Sequence, residues 1–415
     1  MLDFKPPKDN RFVIGSVKLL LPLLMRLTTK VSHVDIDSES LDRLKSTNGY
    51  PTILVPNHPS CADPHVLFAL SARYGERFRY MCARETFDRK IAGLKLRGFF
   101  MTRLGVYSVV RGAVDRDSFR LTRETLAKQA RKLVIFGEGE ISHQNETIMP
   151  FESGIVQFAM WALNDMEKAG DLKPLYLVPV GIKYVYRNNM WDQIKEALAN
   201  LERSVLPDPA DRPTDLYDRV KNVGGCLLTI LAREYHLRLD EGATLNDRIL
   251  QMREHILSQM ESFLELSSQS DRNPLRRVRA IQNRIDEEIY RDVDEMTEYE
   301  RGVHAQRVDK FRQFYTDVRR IVNSIAIYEG YIGEDPSQER FLEVITRLEV
   351  EVYGRSNVKG PLDAFLRVGT PKNLLDSYET YKKQKRQTTQ QITLELETDV
   401  QNIIARMPQV CPESI

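Results

Sequence analysis

One short apolar run near the end of this 415-residue chain constrains its fold more than any other feature. Ala364–Val368 (AFLRV) reads as a strand, closed by Gly369-Thr370-Pro371. Before it, from Trp191 to Tyr353, the chain shows almost only helical periodicity with heavy charge. A strand cannot stand alone, because its backbone N–H and C=O groups need ladder partners. The available sheet lies far upstream, within residues 51–185. The simplest topology is therefore an α/β sheet that takes its last strand from beyond a helical insertion. The expected organisation is an N-terminal segment at 1–35, an α/β domain at 36–189 completed by 359–407, and an all-α insertion at 190–358.

The upstream region supports the sheet. Thr52–Pro56 (TILVP), Phe78–Ala83, Gly105–Val110 (GVYSVV), Leu133–Phe136 (LVIF) and Leu175–Ile182 (LYLVPVGI) are short apolar runs, several rich in β-branched residues. Asp117–Arg131 and Gly154–Met166 have helical spacing between them. This alternation predicts an α/β class with a mostly parallel central sheet. Downstream, helices are expected at Leu245–Leu266, Leu275–Val293, Tyr299–Tyr328 and Gln338–Tyr353. The breaks come at Asp208–Pro213 and Gly330–Pro336. Tyr299–Tyr328 is long enough for a coiled-coil-like hairpin, so a homo-oligomer through the helical region is an expectation. A final polar helix is expected from Leu374 to Met407.

A 42% hydrophobic, 29% charged chain can bury a sizeable core, and a net charge of +1 names no partner. Residues 73–131, however, hold 15 Lys/Arg against 6 Asp/Glu, which suits phosphates or an anionic surface. No aromatic-interleaved module or zinc pattern accompanies them, so nucleic acid is not an expected partner. Cys61, Cys82, Cys226 and Cys411 include no C-x-x-C pair, so no metal site is expected. Their scatter, with no secretory signal, predicts reduced thiols and a cytoplasmic location. No apolar window reaches membrane-spanning length. Phe12–Leu27 is apolar with basic flanks, and such a segment can lie in a membrane interface or pack on the protein.

Chemistry is concentrated in four blocks. Asn57-His58-Pro59-Ser60-Cys61-Ala62-Asp63 follows the strand TILVP. A His accepts protons near neutral pH, and a carboxylate on its other ring nitrogen fixes tautomer and orientation. Such a pair can activate a hydroxyl for attack on a thioester. The spacing alone is unspecific, since His236/Glu241 and His304/Asp309 share it on charged helical stretches. Position after a buried strand, in a loop, sets His58 apart. The second block is Gly105-Val106-Tyr107-Ser108-Val109-Val110-Arg111, which ends a strand with a cation suited to phosphate oxygens. The third is Phe136-Gly137-Glu138-Gly139-Glu140, followed by Pro150-Phe151-Glu152-Ser153-Gly154 at a helix start. The fourth is Val178-Pro179-Val180-Gly181-Ile182.

In order and spacing these blocks resemble the four motifs of the glycerolipid acyltransferase family, which includes lysophosphatidate (1-acylglycerol-3-phosphate) acyltransferases. That family carries N-H-x-x-x-x-D, G-x-x-x-x-x-R, F-P-E-G-T-R and V-P-V-[GA]-I. The stretch Arg367–Pro371 also looks like the V-x-G-x-P strand that closes many members. The resemblance implies a glycerolipid-acyltransferase-like domain, with His58 as general base and Asp63 as its orienting carboxylate. It implies substrate contacts from Asn57, Gly105, Arg111, Glu138, Gly139 and Pro179, with Arg111 holding a phosphate. The implied reaction moves a fatty acyl group from acyl-CoA or acyl-carrier protein to the hydroxyl of a lysophospholipid or related polar lipid. It belongs to phospholipid biosynthesis at a membrane surface and needs no cofactor or metal. Four positions depart from the pattern: Gly137 stands for Pro, Glu140 for Thr, Ile141 for Arg, and Glu152 for Lys. Two phosphate-binding cations are thereby lost, which puts a 1-acylglycerol-3-phosphate acceptor in question. It also motivates an alternative, a catalytically idle lipid-binding or scaffold protein of the same fold.

Overall fold

A computed structural model of the chain describes residues 3–88, 96–110, 115–129, 131–208, 213–240, 242–266, 273–289, 293, 296–326, 331–332, 337–356 and 359–409. The chain divides into two compact units, Asp3–Asn188 with Gly360–Ile415, and Asn189–Lys359. In chain order the first unit begins with α1 (Arg11–Thr28), β1 (Val31–Ile36), α2 (Ser38–Lys45), β2 (Thr52–Pro56), α3 (Asp63–Tyr74) and β3 (Arg79–Ala83). It continues with α4 (Arg97–Arg103), β4 (Val106–Val109), α5 (Arg116–Gln129), β5 (Lys132–Val134), α6 (Gly154–Lys168) and β6 (Tyr176–Tyr186). The second unit holds α7 (Trp191–Val205), α8 (Leu216–Glu234), α9 (Leu245–Phe263), α10 (Pro274–Ile289), α11 (Glu298–Ala326) and α12 (Gln338–Tyr353). The chain then re-enters the first unit as β7 (Leu362–Val368), β8 (Lys372–Asn373), α13 (Tyr378–Lys383) and α14 (Lys385–Ala405).

The sheet order is β1-β7-β6-β2-β5-β3-β4, with β8 on β6. Strands β6, β2, β5, β3 and β4 are mutually parallel, as expected for an α/β fold. Strand β7 runs antiparallel to β6, from Tyr186↔Leu362 to Val180↔Val368, and parallel to β1. The run AFLRV thus sits in the same sheet as LYLVPVGI. Alternation along each strand sends side chains to two cores. One face carries Leu54, Val134, Val180, Ile182 and Leu366 and is covered by α1, α2 and α3. The other carries Ile53, Val55, Leu133 and Leu177 and is covered by α5, α6, α13 and α14.

Several expectations differ in detail. The predicted boundary at residue 35 falls inside β1, because Val31–Ile36 pairs with β7 and belongs to the sheet. The final helix is not continuous. Leu374–Ser377 is a 3-10 turn, and Gln384 adopts φ −137° and ψ 61°, which separates α13 from α14. The long helix α11 is not a free hairpin arm. Phe311, Phe314, Val318 and Ile321 recur at helical spacing and bury in the core of the helical unit with Leu257 and Ile281. Part of the basic stretch at 73–131 is committed within its own unit. Arg84 pairs with Asp3 and Asp88, Arg79 and Arg131 with Asp9, and Arg123 with Asp165.

Helix α1 has two apolar faces. Ile14, Leu21 and Met25 are buried against the sheet unit, while Phe12 (82% exposed), Leu19 (82%), Leu23 (55%) and Leu27 (71%) point outward. Exposed Phe99 and Phe100 lie on α4, which contacts α1. Among the described residues no helix is long and apolar enough to cross a membrane.

Candidate active site

The site forms where β2 leaves the sheet. Strand β6 runs on past Pro56, so its backbone would lack ladder partners on that side. Two asparagine side chains take the place of the departed strand. Asn57 donates from Nδ2 to the Ile182 carbonyl at 2.9 Å and accepts the Ile182 N–H at 2.7 Å. Asn145 does the same for Tyr184, at 2.6 Å in each direction. With β6 satisfied, residues 57–62 are free to form a loop rather than a strand.

That loop presents His58 and leads into α3, where Asp63 is the first helical residue and Pro64 follows. Proline is tolerated there because the first-turn N–H groups have no helical partner. A carboxylate is also favoured at that end of the helix. Asp63 is fully buried. Its Oδ2 accepts from His58 Nδ1 at 2.7 Å and from the Ser60 N–H at 2.9 Å. Its Oδ1 accepts the Tyr184 hydroxyl at 2.5 Å. The His58 ring stacks on Phe136, with centroids 3.8 Å apart and planes 15° from parallel. The His58 backbone is held too: its N–H donates to Glu138 Oε1 at 2.5 Å, and its carbonyl accepts the Ser142 N–H at 2.9 Å. With Nδ1 engaged by Asp63, Nε2 is the nitrogen open to a substrate proton. The His58 side chain retains 14% exposure.

The third block braces the His58 loop. Glu138 is 5% exposed, and its second oxygen, Oε2, accepts the Met149 N–H at 2.9 Å. It clamps the His58 loop to the 140–150 loop. Burial pushes its carboxyl up to about 7, although the backbone donors of His58 and Met149 favour its charged form. Gly139, at φ +70°, makes the tight turn that follows. Gly137 donates its N–H to the Pro56 carbonyl at 2.9 Å. A Cβ there would lie 2.7 Å from three atoms of the Phe151 ring. The Phe151 ring thus fills the space where a Pro side chain would stand.

The remaining expected residues scatter. Asn57 is fully buried and braces β6, a role in the framework of the site. Gly105 precedes β4, at the opposite end of the parallel strands from His58. Its φ of +90° serves a turn packed against Asp9 and the Phe78 carbonyl. Arg111, with its expected phosphate contact, lies outside the described residues. Pro179 is buried in β6, opposite Val55. Its missing N–H faces the gap between β7 and β8, where Gly369 donates to the Pro179 carbonyl at 2.8 Å. That gap is why a proline fits in a central strand.

The look-alike pair His304/Asp309 does not repeat the site's geometry. His304 Nε2 lies 2.8 Å from the Glu288 carbonyl while Asp309 pairs with Arg312, and Glu241 is outside the described residues. Sequence reasoning missed Tyr184 and Asn145. One signal was available for Tyr184: it falls on the same strand face as Ile182 within an apolar run, and a buried phenol needs a partner. Nothing marked Asn145, whose bond is to backbone. Among the described residues no cluster of three or more His, Cys, Asp or Glu is placed to hold a metal.

The model of the family described as Acyltransferase matches residues 15–183. No curated protein matches the chain. The matched span runs from α1 into β6 and contains the whole loop that joins His58 to Asp63. Residues 15–183 thus form a domain that matches the acyltransferase family, and the match supports acyl transfer as its general function.

Proposed function

We propose that this chain is an O-acyltransferase that moves a fatty acyl group from an acyl-CoA or acyl-carrier-protein thioester to the hydroxyl of a lysophospholipid or related polar lipid. The observation that carries the reading is the 2.7 Å contact of His58 Nδ1 with the buried Asp63 carboxylate. In this mechanism His58 Nε2 takes the acceptor's hydroxyl proton as the oxygen attacks the thioester carbonyl. The C–O bond forms, the tetrahedral intermediate collapses, and the C–S bond breaks. The thiolate leaves with the proton returned by the imidazolium. Asp63 stabilises the transient imidazolium and holds the ring in position. The Phe136 face against His58 adds a cation–π contact once the ring is charged.

The outward row of α1, with Phe99 and Phe100 of α4, supports peripheral docking on a membrane at the cytoplasmic face, next to a lipid acceptor and phospholipid biosynthesis. Ile141 and Glu152 stand where relatives of the resembled family carry cations, and this favours an acceptor other than a phosphate monoester. His58→Ala should abolish acceptor-dependent thiol release from acyl-CoA or acyl-carrier protein while the circular dichroism spectrum stays that of the wild type. A folded His58→Ala protein with undiminished turnover would overturn the mechanism. Vesicle binding by a wild-type protein that releases no thiol with any acceptor would favour the idle lipid-binding alternative.

A further inference from the structure

The buried carboxylate of Asp63 has two oxygens, and only one faces His58. Oδ2 carries two donors, the imidazole Nδ1 and the Ser60 N–H. Oδ1 points the other way, into the core formed by β6 and α3, where Asp63 has no exposure to water. A charged oxygen left there without a donor would turn about its side-chain torsion to find one, and Oδ2 would leave the imidazole. The donor is the Tyr184 hydroxyl, at 2.5 Å. Tyr184 is itself 5% exposed, and its backbone is gripped on both sides. Asn145 spans its N–H and C=O, and on the other edge of β6 it pairs with Ala364 of β7. It stands one residue beyond the span that matches the acyltransferase family.

We propose that Tyr184 is a positioning residue for acyl transfer: its hydroxyl anchors Asp63 Oδ1 so that Oδ2 holds the His58 imidazole in its reactive orientation. The inference rests on the His58–Asp63 reading above. Tyr184 does not touch substrate. It acts through Asp63 and supplies the fixed third member of the row Tyr184–Asp63–His58. Burial and the Asp63 charge both keep the phenol protonated, so it remains a donor across the working pH range. Asn145 extends the row into the 140–150 loop. A disturbance of that loop therefore reaches His58 through the sheet as well as through Glu138.

The test is Tyr184→Phe, which keeps the ring and deletes only the hydroxyl. Tyr80→Phe is the control, since Tyr80 is also a buried tyrosine of this core but touches neither Asp63 nor His58. A hydrogen bond to a charged group is worth roughly tenfold to a hundredfold in an equilibrium. Tyr184→Phe should lower kcat for thiol release by about that factor with KM within about twofold, while Tyr80→Phe leaves both unchanged. Nitrogen-15 histidine labelling gives a readout that needs no acceptor. The Nδ1 proton of His58 should resonate far downfield in the wild type and in Tyr80→Phe, and should move or broaden in Tyr184→Phe. A Tyr184→Phe protein with wild-type kcat, or with an unmoved His58 Nδ1 proton, overturns the inference. His58→Ala run in parallel separates the two failures: if it retains turnover, the base assignment falls, whereas if it is inactive and Tyr184→Phe is normal, only the positioning role falls.

Discussion

Replacing Gly137 by Pro would restore the residue usual at this place in F-P-E-G, yet this chain should tolerate it poorly. Two costs combine. A Cβ at 137 lies 2.7 Å from Cδ2, Cε2 and Cζ of Phe151, and a buried ring has no room to withdraw. Overpacking of this kind costs about 1–3 kcal/mol. Proline also removes the N–H that donates to the Pro56 carbonyl, and an orphaned buried acceptor costs about 1–3 kcal/mol more. The expected loss is about 2–6 kcal/mol, a large share of a typical folding stability of about 5–15 kcal/mol. Gly137→Ala keeps the N–H and should show only the first cost. Adding Phe151→Leu should return part of it, because the ring is what collides. Trp161 packs against Phe119 and Phe158 in the sheet unit, and Trp191 lies in the helical unit. Urea unfolding followed by Trp161 fluorescence in a Trp191→Phe background therefore reports the unit that matters. A Gly137→Pro midpoint equal to that of the parent, or a Gly137→Ala penalty unchanged by Phe151→Leu, would refute the packing account.

Glu138 sets a pH dependence of stability. Its carboxyl stands at about 7 in the folded chain against 4.5 for the free group, so the folded state holds an extra proton between those values. That contribution is complete below pH 4.5 and is lost as pH rises through 7, about 3 kcal/mol in all. Glu138→Gln should abolish the slope, so parallel pH–stability curves for the two proteins would count against the burial argument. At the membrane, Leu19→Asp with Leu23→Asp should lower flotation with anionic vesicles at least tenfold and leave soluble thioester turnover in place. Unaltered flotation would remove α1 from the docking surface.

The fold was legible where the sequence alternates cleanly. The five short apolar runs between residues 52 and 182 became β2 to β6, and AFLRV found its place beside β6 because an isolated strand has no ladder. Strand β1 (VSHVDI) was not legible, since an edge strand with His33 and Asp35 shows no continuous apolar run. The break at Gln384 was hidden because α13 and α14 share one polar composition. His58 and Asp63 were readable as a pair from their place after a buried strand, and the structure brings them within hydrogen-bond reach. Glu138 and Asn57 were readable as belonging to the site, but not as inward-facing. The distinction rests on which backbone groups lack partners, and only the register of β2 against β6 reveals that. Tyr184 and Asn145 lie outside any local pattern because they act across 121 residues of chain in one case, Asp63 to Tyr184, and from a loop to a strand in the other.

The two asparagines that flank the departure of β2 have a consequence for how this domain can vary. Each replaces a stretch of neighbouring strand with a single amide, and each spans only one residue of β6. The edge of the sheet is thus sealed point by point by side chains. The connecting backbone between those points carries no ladder obligation of its own. Rewritten side chains at Cys61, or at Glu140 and Ile141, can reshape the mouth around His58 without unzipping β6. The ladder of β6 is in this way insulated from edits to the rim as long as Asn57 and Asn145 stay, while the backbone contacts of Ser60 and Ser142 still tie those loops to Asp63 and His58.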